Sequence, residues 1–553
     1  MLIIANSTSK MAVQEDLVIV EPPSLPTWKA PSPFDRNDAN LVLRASDRVD
    51  FLVHGPILVI ASPFFESMLS ELPQPPADPD QTLGKPIIDI SEDARTTEAF
   101  LRFIYPTLDP DVEELSLLRS VLAAGVKYKL SVVVAAVKKT MVSPRFLKSH
   151  PIDVFAIACR YQFEVEAKAA AHRLEKHSWG LPTHSGAGLD ELNAGQYFRL
   201  LQFELGRDVS TFCHSPVNPS ALSPMRDTAI NAAIDVAFPF TGPDGDLILR
   251  SCDSRNFYVH RAIIALASPE MLDGSLKPDT TDAAAIPIYQ MQEDSVCVDI
   301  LLRLCYPVTK SEFSSAQTYG AVLVAARKYQ LREVERLARV QWKTFVTEDS
   351  DMSMYFLAVE LGWKEEAVTC AQHIALQGTV EVRKLSPRST KKAKAKTFTC
   401  PAVYTQYIPS MESISSVPYR NLLSYVNGYR KAATSILHLS DLPVDASSMQ
   451  LSLDSGPSAS VTPYPAQIST GAPPPWLLDQ FTNIKHELEK RPSSDILAIG
   501  TPLWYSFITF VMNNKPPGQD YINPPSDVRW AATVLQRYAE AIDWAISKVN
   551  LRL

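Results

Sequence analysis

PFDRNDANLVLRASDRVDFLVHGPILVIASPFF (33–65) and PFTGPDGDLILRSCDSRNFYVHRAIIALASPEM (239–271) align without a gap at an offset of 206. They share 14 of 33 residues, among them Leu41/Leu247, Arg44/Arg250, Asp47/Asp253, Phe51/Phe257, His54/His260 and Ala61-Ser62-Pro63/Ala267-Ser268-Pro269. Further blocks follow in the same order. EAFLRFIYP (98–106) matches DILLRLCYP (299–307), and AGVKYKL (124–130) matches AARKYQL (325–331), both at an offset of 201. AIACRYQFEVEA (156–167) then resembles FLAVELGWKEEA (356–367), and YFRLLQF (197–203) resembles YRNLLSY (419–425) after a longer insertion. One order at nearly one spacing identifies a duplicated unit of about 200 residues.

Each copy reads as a small sheet followed by helices. LVLRA and DFLV are β-rich segments joined at Ser46 and Asp47, which predicts a hairpin. GPILVIA is a short apolar helix or turn. Ser62 and Ser268 precede Pro63 and Pro269, supplying an N-cap hydroxyl and a proline at the first helical position. PIIDI (86–90) and IPIY (286–289) predict one more strand. SEDARTTEAFLRFIY begins with acids, as suits the positive end of a helix, and Pro106 sets its end. The next helix places Leu118, Val121, Leu122, Gly125 and Tyr128 on one face, and the second copy repeats this with Tyr319, Val322, Leu323, Ala326 and Tyr329. The remainder of each copy is helical. The fold class is therefore α+β and helix-rich: two small sheets covered by helices, each with an all-helical extension, plus a C-terminal helical segment.

Composition narrows the function classes. The 553 residues suggest three or four domains, and 43 Pro outnumber 19 Gly. Phosphate-cradling loops need glycine for close backbone approach, so this balance argues against a nucleotide enzyme. A net charge of −8 gives the whole chain no electrostatic case for direct nucleic-acid binding. Seven cysteines, none spaced CxxC, fit reduced thiols better than a disulfide framework or zinc ribbon. The N-terminus lacks the basic region of a signal peptide. LAIGTPLWYSFITFVM (497–512) comes nearest to a membrane span, but Pro502 interrupts it. The expected location is intracellular, cytoplasmic or nuclear.

These residues resemble the BTB/POZ family. The hairpin, Phe51 to His54 and Phe257 to His260, the Ala-Ser-Pro that follows, and a helix ending in Tyr-Pro carry the resemblance. The helical remainder is similar to the extension that follows BTB domains in many adaptors. PYRNLLSYVNGYRKAATSIL is similar in wording to BTB proteins of mushroom-forming fungi. The resemblance implies a non-enzymatic interaction module that dimerises through its first helix and adjacent strand. Family members recruit cullin-type ubiquitin ligases or transcriptional corepressors, and both stay open here. Family dimers place an acid at the start of the first strand near a basic residue after the motif histidine. That implies a dimer pocket of Asp246 and Arg261, degenerate in the first copy as Asn40 and Gly55. Losing both charges together is more tolerable than stranding one, so the copies are expected to differ in role. They pair within the chain, or the second pairs between chains as a homodimer.

Candidate chemistry is sparse. His54 and His260 recur, yet neither has ligands at zinc spacing, and a bond to backbone between hairpin and helix is the expected role. Asp47 and Asp253 are expected to stabilise the hairpin turn. Cys213-His214 pairs a thiol with a base, but neighbours in sequence do not present both groups to one substrate. PDGD (243–246) lacks the closing glutamate of a calcium loop. No GxGxxG, GxxxxGK[ST], HExxH or GxSxG occurs. No catalytic, cofactor or metal site and no small-molecule substrate or membrane partner is therefore expected. RKLSPRSTKKAKAK (383–396) carries Arg383, Lys384, Arg388, Lys391, Lys392, Lys394 and Lys396 and no acid. It reads as a solvated insertion, or as a nuclear signal or phosphate-contacting patch centred on the four later lysines.

The expected boundaries follow from composition. They are a disordered N-terminus over 1–31, a first BTB/POZ domain over 32–140, a helical extension over 141–208 and a linker over 209–231. A second BTB/POZ domain spans 232–342, followed by an extension over 343–437 with the basic insertion at 383–398. A Pro/Ser-rich linker over 438–474 leads to C-terminal helices over 475–553. In the last helix Trp530, Val534, Tyr538, Ile542 and Ile546 recur at helical spacing, a stripe expected to pack back on the second copy.

Overall fold

A computed structural model describes residues 28–71, 85–175, 187–215, 236–242, 244–272, 286–309, 312–347, 349–384, 396–435, 478–513 and 524–552. The chain divides into two compact units, Met1–His150 and Pro151–Leu553.

The first unit is built on four strands, β1 (Trp28–Lys29), β2 (Leu41–Arg44), β3 (Val49–Val53) and β4 (Ile87–Asp89), in the order β1-β3-β2-β4. The hairpin pairs Leu41 with Val53 and Arg44 with Asp50, and Arg48 turns the chain at a φ of 64°. That register sends Leu41, Leu43, Phe51 and Val53 into the core together. β4 joins β2 in parallel, Val42 opposite Ile87. Helices α1 (Gly55–Ala61), α2 (Pro63–Ser70), α3 (Ala94–Ile104), α4 (Leu115–Lys127), α5 (Ser131–Met141) and α6 (Pro144–Ser149) complete the unit. The expected disordered N-terminus through residue 31 is corrected at its end. Trp28 N donates to Arg48 O at 3.0 Å and Ala30 N to Asp50 O at 2.9 Å. The free peptide groups on the edge of β3 supply the reason.

The second unit opens with the first copy's extension, α7 (Pro151–Arg160), α8 (Glu164–Glu175), α9 (Ala187–Asp190) and α10 (Ala194–Glu204). The second sheet follows, with β5 (Leu247–Arg250), β6 (Asn256–Val259) and β7 (Ile288–Gln290) in the order β6-β5-β7. Its register repeats the first, Leu247 opposite Val259 and Ile248 opposite Ile288. Around it stand α11 (Arg261–Ala267), α12 (Ser295–Cys305), α13 (Ala316–Lys328) and α14 (Arg332–Arg339). The second extension comprises α15 (Asp351–Glu360), α16 (Lys364–Leu376) and α17 (Ser416–Ser435). It also contains a hairpin, β8 (Thr379–Lys384) and β9 (Lys396–Pro401), paired from Thr379–Pro401 to Lys384–Lys396. This hairpin brackets the basic run, and alternation along it turns Val382 and Cys400 inward.

The tail forms α18 (Leu478–Lys490), α19 (Pro502–Asn513) and α20 (Pro524–Ser547). Val534, Tyr538 and Ile542 are buried with Phe481, Ile484 and Phe507, and Ala433 of α17 joins that core. Ile546 packs at its edge, while the side chain of Trp530 lies outside the described residues. Among the described residues, no helix is long and apolar enough to cross a membrane.

The two extensions meet each other. Ala194 N donates to Ile414 O and Ser416 N to Leu192 O, both at 2.8 Å, around an antiparallel bridge between Asn193 and Ser415. The rings of Tyr197 and Tyr419 cross edge to face at 6.0 Å. Two ion pairs flank them, Arg199 with Glu412 and Arg420 with Asp190.

Candidate interaction sites

The residues common to both copies build one framework twice. The Tyr-Pro that ends α3 and α12 places a phenol under the motif histidine. His54 N donates to the Tyr105 hydroxyl at 2.8 Å, and His260 N to that of Tyr306 at 2.7 Å. The imidazole Nδ1 lies 3.4 Å and 3.3 Å from the same oxygens. The expected histidine-to-backbone bond is thus replaced by a tyrosine that accepts from the histidine's own backbone, because helix α3 ends directly beneath the hairpin. Burial pushes both phenols above their usual range. Tyr105→Phe or Tyr306→Phe strands that amide, and we expect a loss of about 1–2 kcal/mol, checked by thermal unfolding.

Ser62 Oγ accepts from Phe65 N at 3.2 Å and donates to Tyr128 O, so one buried hydroxyl caps α2 and ties it to α4. Ser268 Oγ likewise accepts from Met271 N at 3.2 Å. Pro63 and Pro269, which follow these caps, are exposed. Phe51 and Phe257 are core residues, 1% exposed each. Asp47 and Asp253 act at longer range than the turn role expected of them. Asp47 accepts from Ala94 N at 3.0 Å, and Asp253 from Ser295 N at 3.0 Å and Ser295 Oγ at 2.6 Å. Each carboxylate therefore pins the hairpin tip to the positive start of the following helix.

Sequence reading missed a third repeated cluster. Lys127 Nζ lies 2.9 Å from Glu92, which also accepts from Tyr128; Lys328 Nζ and the Tyr329 hydroxyl lie 2.9 Å and 2.6 Å from Glu293. The Lys-Tyr pair was visible as AGVKYKL and AARKYQL, but its acid lies 35 residues earlier. Burial raises the Glu92 carboxyl, yet bonds from Tyr128 and Lys127 outweigh it and hold the group below its ordinary range. A depressed carboxyl contributes stability above its unfolded value and loses it as pH falls through the folded one. Glu92→Gln should therefore lower the melting temperature at pH 7, with the gap closing below about pH 4.

Asp246 and Arg261 are brought together, though as an amide cap and not as a side-chain ion pair. Asp246 Oδ1 accepts from Arg261 N at 2.6 Å, and the guanidinium instead reaches the Tyr289 hydroxyl at 3.2 Å. Gly55 N makes the same bond to Asn40 Oδ1 at 2.8 Å, so the first copy keeps the cap and loses only the charges. Asp246→Asn is accordingly expected to cost less than about 0.5 kcal/mol, read by thermal unfolding. Towards the other end of the same short helix both copies expose a large apolar side chain at the same position, Ile60 on α1 and Leu266 on α11, each 87% exposed.

The remaining candidates separate. Cys213 is buried, with its amide on Glu164 at 2.9 Å, while His214 is exposed. Arg383 and Lys384 end β8 and Lys396 begins β9; Arg388, Lys391, Lys392 and Lys394 lie outside the described residues. A buried carboxylate outside the sequence reading, Asp351, sits 2.6 Å from His373 Nδ1 and 3.0 Å from Gln377 Nε2, and burial raises it. It ties the start of α15 to the end of α16. Among the described residues no group of three or more His, Cys, Asp or Glu could hold a metal.

The family model for the BTB/POZ domain matches residues 34–144 and 244–344. No curated protein matches the chain. Two matched regions on two copies of one sheet-and-helix framework establish that the chain carries BTB/POZ domains in tandem, a domain type that mediates protein–protein interaction and dimerisation.

Proposed function

We propose that the chain is a non-enzymatic scaffold or adaptor that recruits protein partners through its two BTB surfaces. The observation that carries this reading is the pair Ile60 and Leu266, one exposed apolar residue in the same place on both domains. A solvated aliphatic side chain on a short helix suits a partner's apolar contact. Affinity purification of the tagged full chain with mass spectrometry tests it. Partners lost in Ile60→Asp or Leu266→Asp support the reading, and an unchanged partner set overturns it.

The second reading is an adaptor of a cullin-type ligase. It is favoured by the surface after Tyr306-Pro307, where Pro307 is exposed and the tail's described core reaches only Ala433 of the second extension. Cullin and ring-finger components among the purified partners would support it, whereas corepressors would favour a nuclear cofactor role.

A further inference from the structure

We propose that the seam between the two extensions is a dimer interface turned inward, and that Gly195 makes it select the opposite extension over a second copy of the same one. The inference holds whichever partner the BTB surfaces take. Contacting residues correspond at a constant offset of 222: Asp190 with Glu412, Leu192 with Ile414, Asn193 with Ser415, Ala194 with Ser416, and Tyr197 with Tyr419. The backbone bonds are reciprocal, since Ala194 bonds Ile414 and Ser416 bonds Leu192. Each extension also sends an arginine to the other's acid, Arg199 to Glu412 and Arg420 to Asp190, although these two stand one position apart in the correspondence, with Asn421 in the place of Arg199 and Phe198 in that of Arg420. Contacts in which i meets j and j meets i define an isologous, two-fold interface. Here one polypeptide supplies both sides.

The two sides are not interchangeable. A Cβ at Gly195 would stand 2.2 Å from Glu412 Oε1 and 2.5 Å from its Cδ. Glu412 has little freedom to yield, because Arg199 and the Tyr407 hydroxyl at 3.0 Å both hold its carboxylate. The counterpart of Gly195 is Val417, and the counterpart of Glu412 is Asp190, one methylene shorter. Two second extensions would set Val417 against Glu412 and put Asn421 where Arg199 stands, so the acid would lose its cation as well as its room. Two first extensions would set Gly195 against Asp190, leaving a gap and a carboxylate short of Arg199. Only the mixed pair sets the large acid, held by its arginine, against a bare backbone.

The test uses the full chain with a protease site placed between residues 216 and 231, cut after folding. The wild-type halves should co-elute in size exclusion at micromolar concentration. Gly195→Val should weaken their association about 100-fold and separate them. Adding Glu412→Asp to Gly195→Val should recover at least about tenfold of that loss. Recovery also shows that Gly195→Val leaves both halves able to fold. Separation of the wild-type halves, co-elution of the Gly195→Val halves, or no recovery in the double variant would each overturn the proposal.

Discussion

Replacing Arg199 with alanine is expected to cost the second unit about 3–5 kcal/mol, the usual range for breaking a buried pair from one side. The side chain is 4% exposed and makes three bonds at once. Its Nε donates to Phe212 O at 2.9 Å, and its two terminal nitrogens grip the Glu412 carboxylate. Truncation leaves Glu412, itself only 24% exposed, with the Tyr407 hydroxyl and the Asn193 amide and no cation. It also leaves the Phe212 carbonyl without its donor, while Glu164 still holds the Phe212 amide at 2.6 Å. Arg199→Lys should recover only part of the loss, because an ammonium cannot reproduce the guanidinium fork. Faster hydrogen exchange across Ala194–Glu204 and Ser416–Ser435, with Leu41–Arg44 unchanged, is the expected readout. As a contrast, the exposed pair Arg336–Glu333 should give less than about 0.5 kcal/mol on the same truncation.

Tyr419→Ala should be of comparable size, about 3–5 kcal/mol. The ring is fully buried and packs between Tyr197 at 6.0 Å, Phe356 at 6.3 Å and Phe198 at 6.4 Å. Its hydroxyl donates to Val403 O at 3.1 Å. Tyr419→Phe keeps the packing and strands one carbonyl, so about 1 kcal/mol is expected. Denaturant unfolding of the pair, followed through the same exchange windows, separates the ring's packing from its bond. A loss in Tyr419→Phe as large as in Tyr419→Ala would assign the stability to the hydroxyl.

Local features of the fold were legible in the sequence because their causes are local. The hairpins, the serine caps and the helices stopped at Tyr105 and Tyr306 all follow from alternation, side-chain oxygens and proline. What escaped was long-range. Asp47 looked like a turn residue because Asp is common in turns, yet its bond reaches Ala94. Glu92 gave no signal until the fold set it beside Lys127 and Tyr128. β1 is two residues long and has no alternation to read, and β8 was hidden by the charge of the run it enters. The likeness of YFRLLQF to YRNLLSY showed that two segments are equivalent. Equivalence says nothing about contact, and their meeting became visible only in three dimensions.

The seam also fixes a stoichiometry. Two separate chains with one extension each would pair to a degree set by their concentrations, and an excess of either would leave unpaired extensions. Joining both extensions through the polypeptide between residues 215 and 236 makes the encounter intramolecular, with an effective concentration on the order of millimolar for short connections. The ratio of first to second domain is then one to one at every expression level. The two extensions therefore stay joined across the seam even when the protein is scarce.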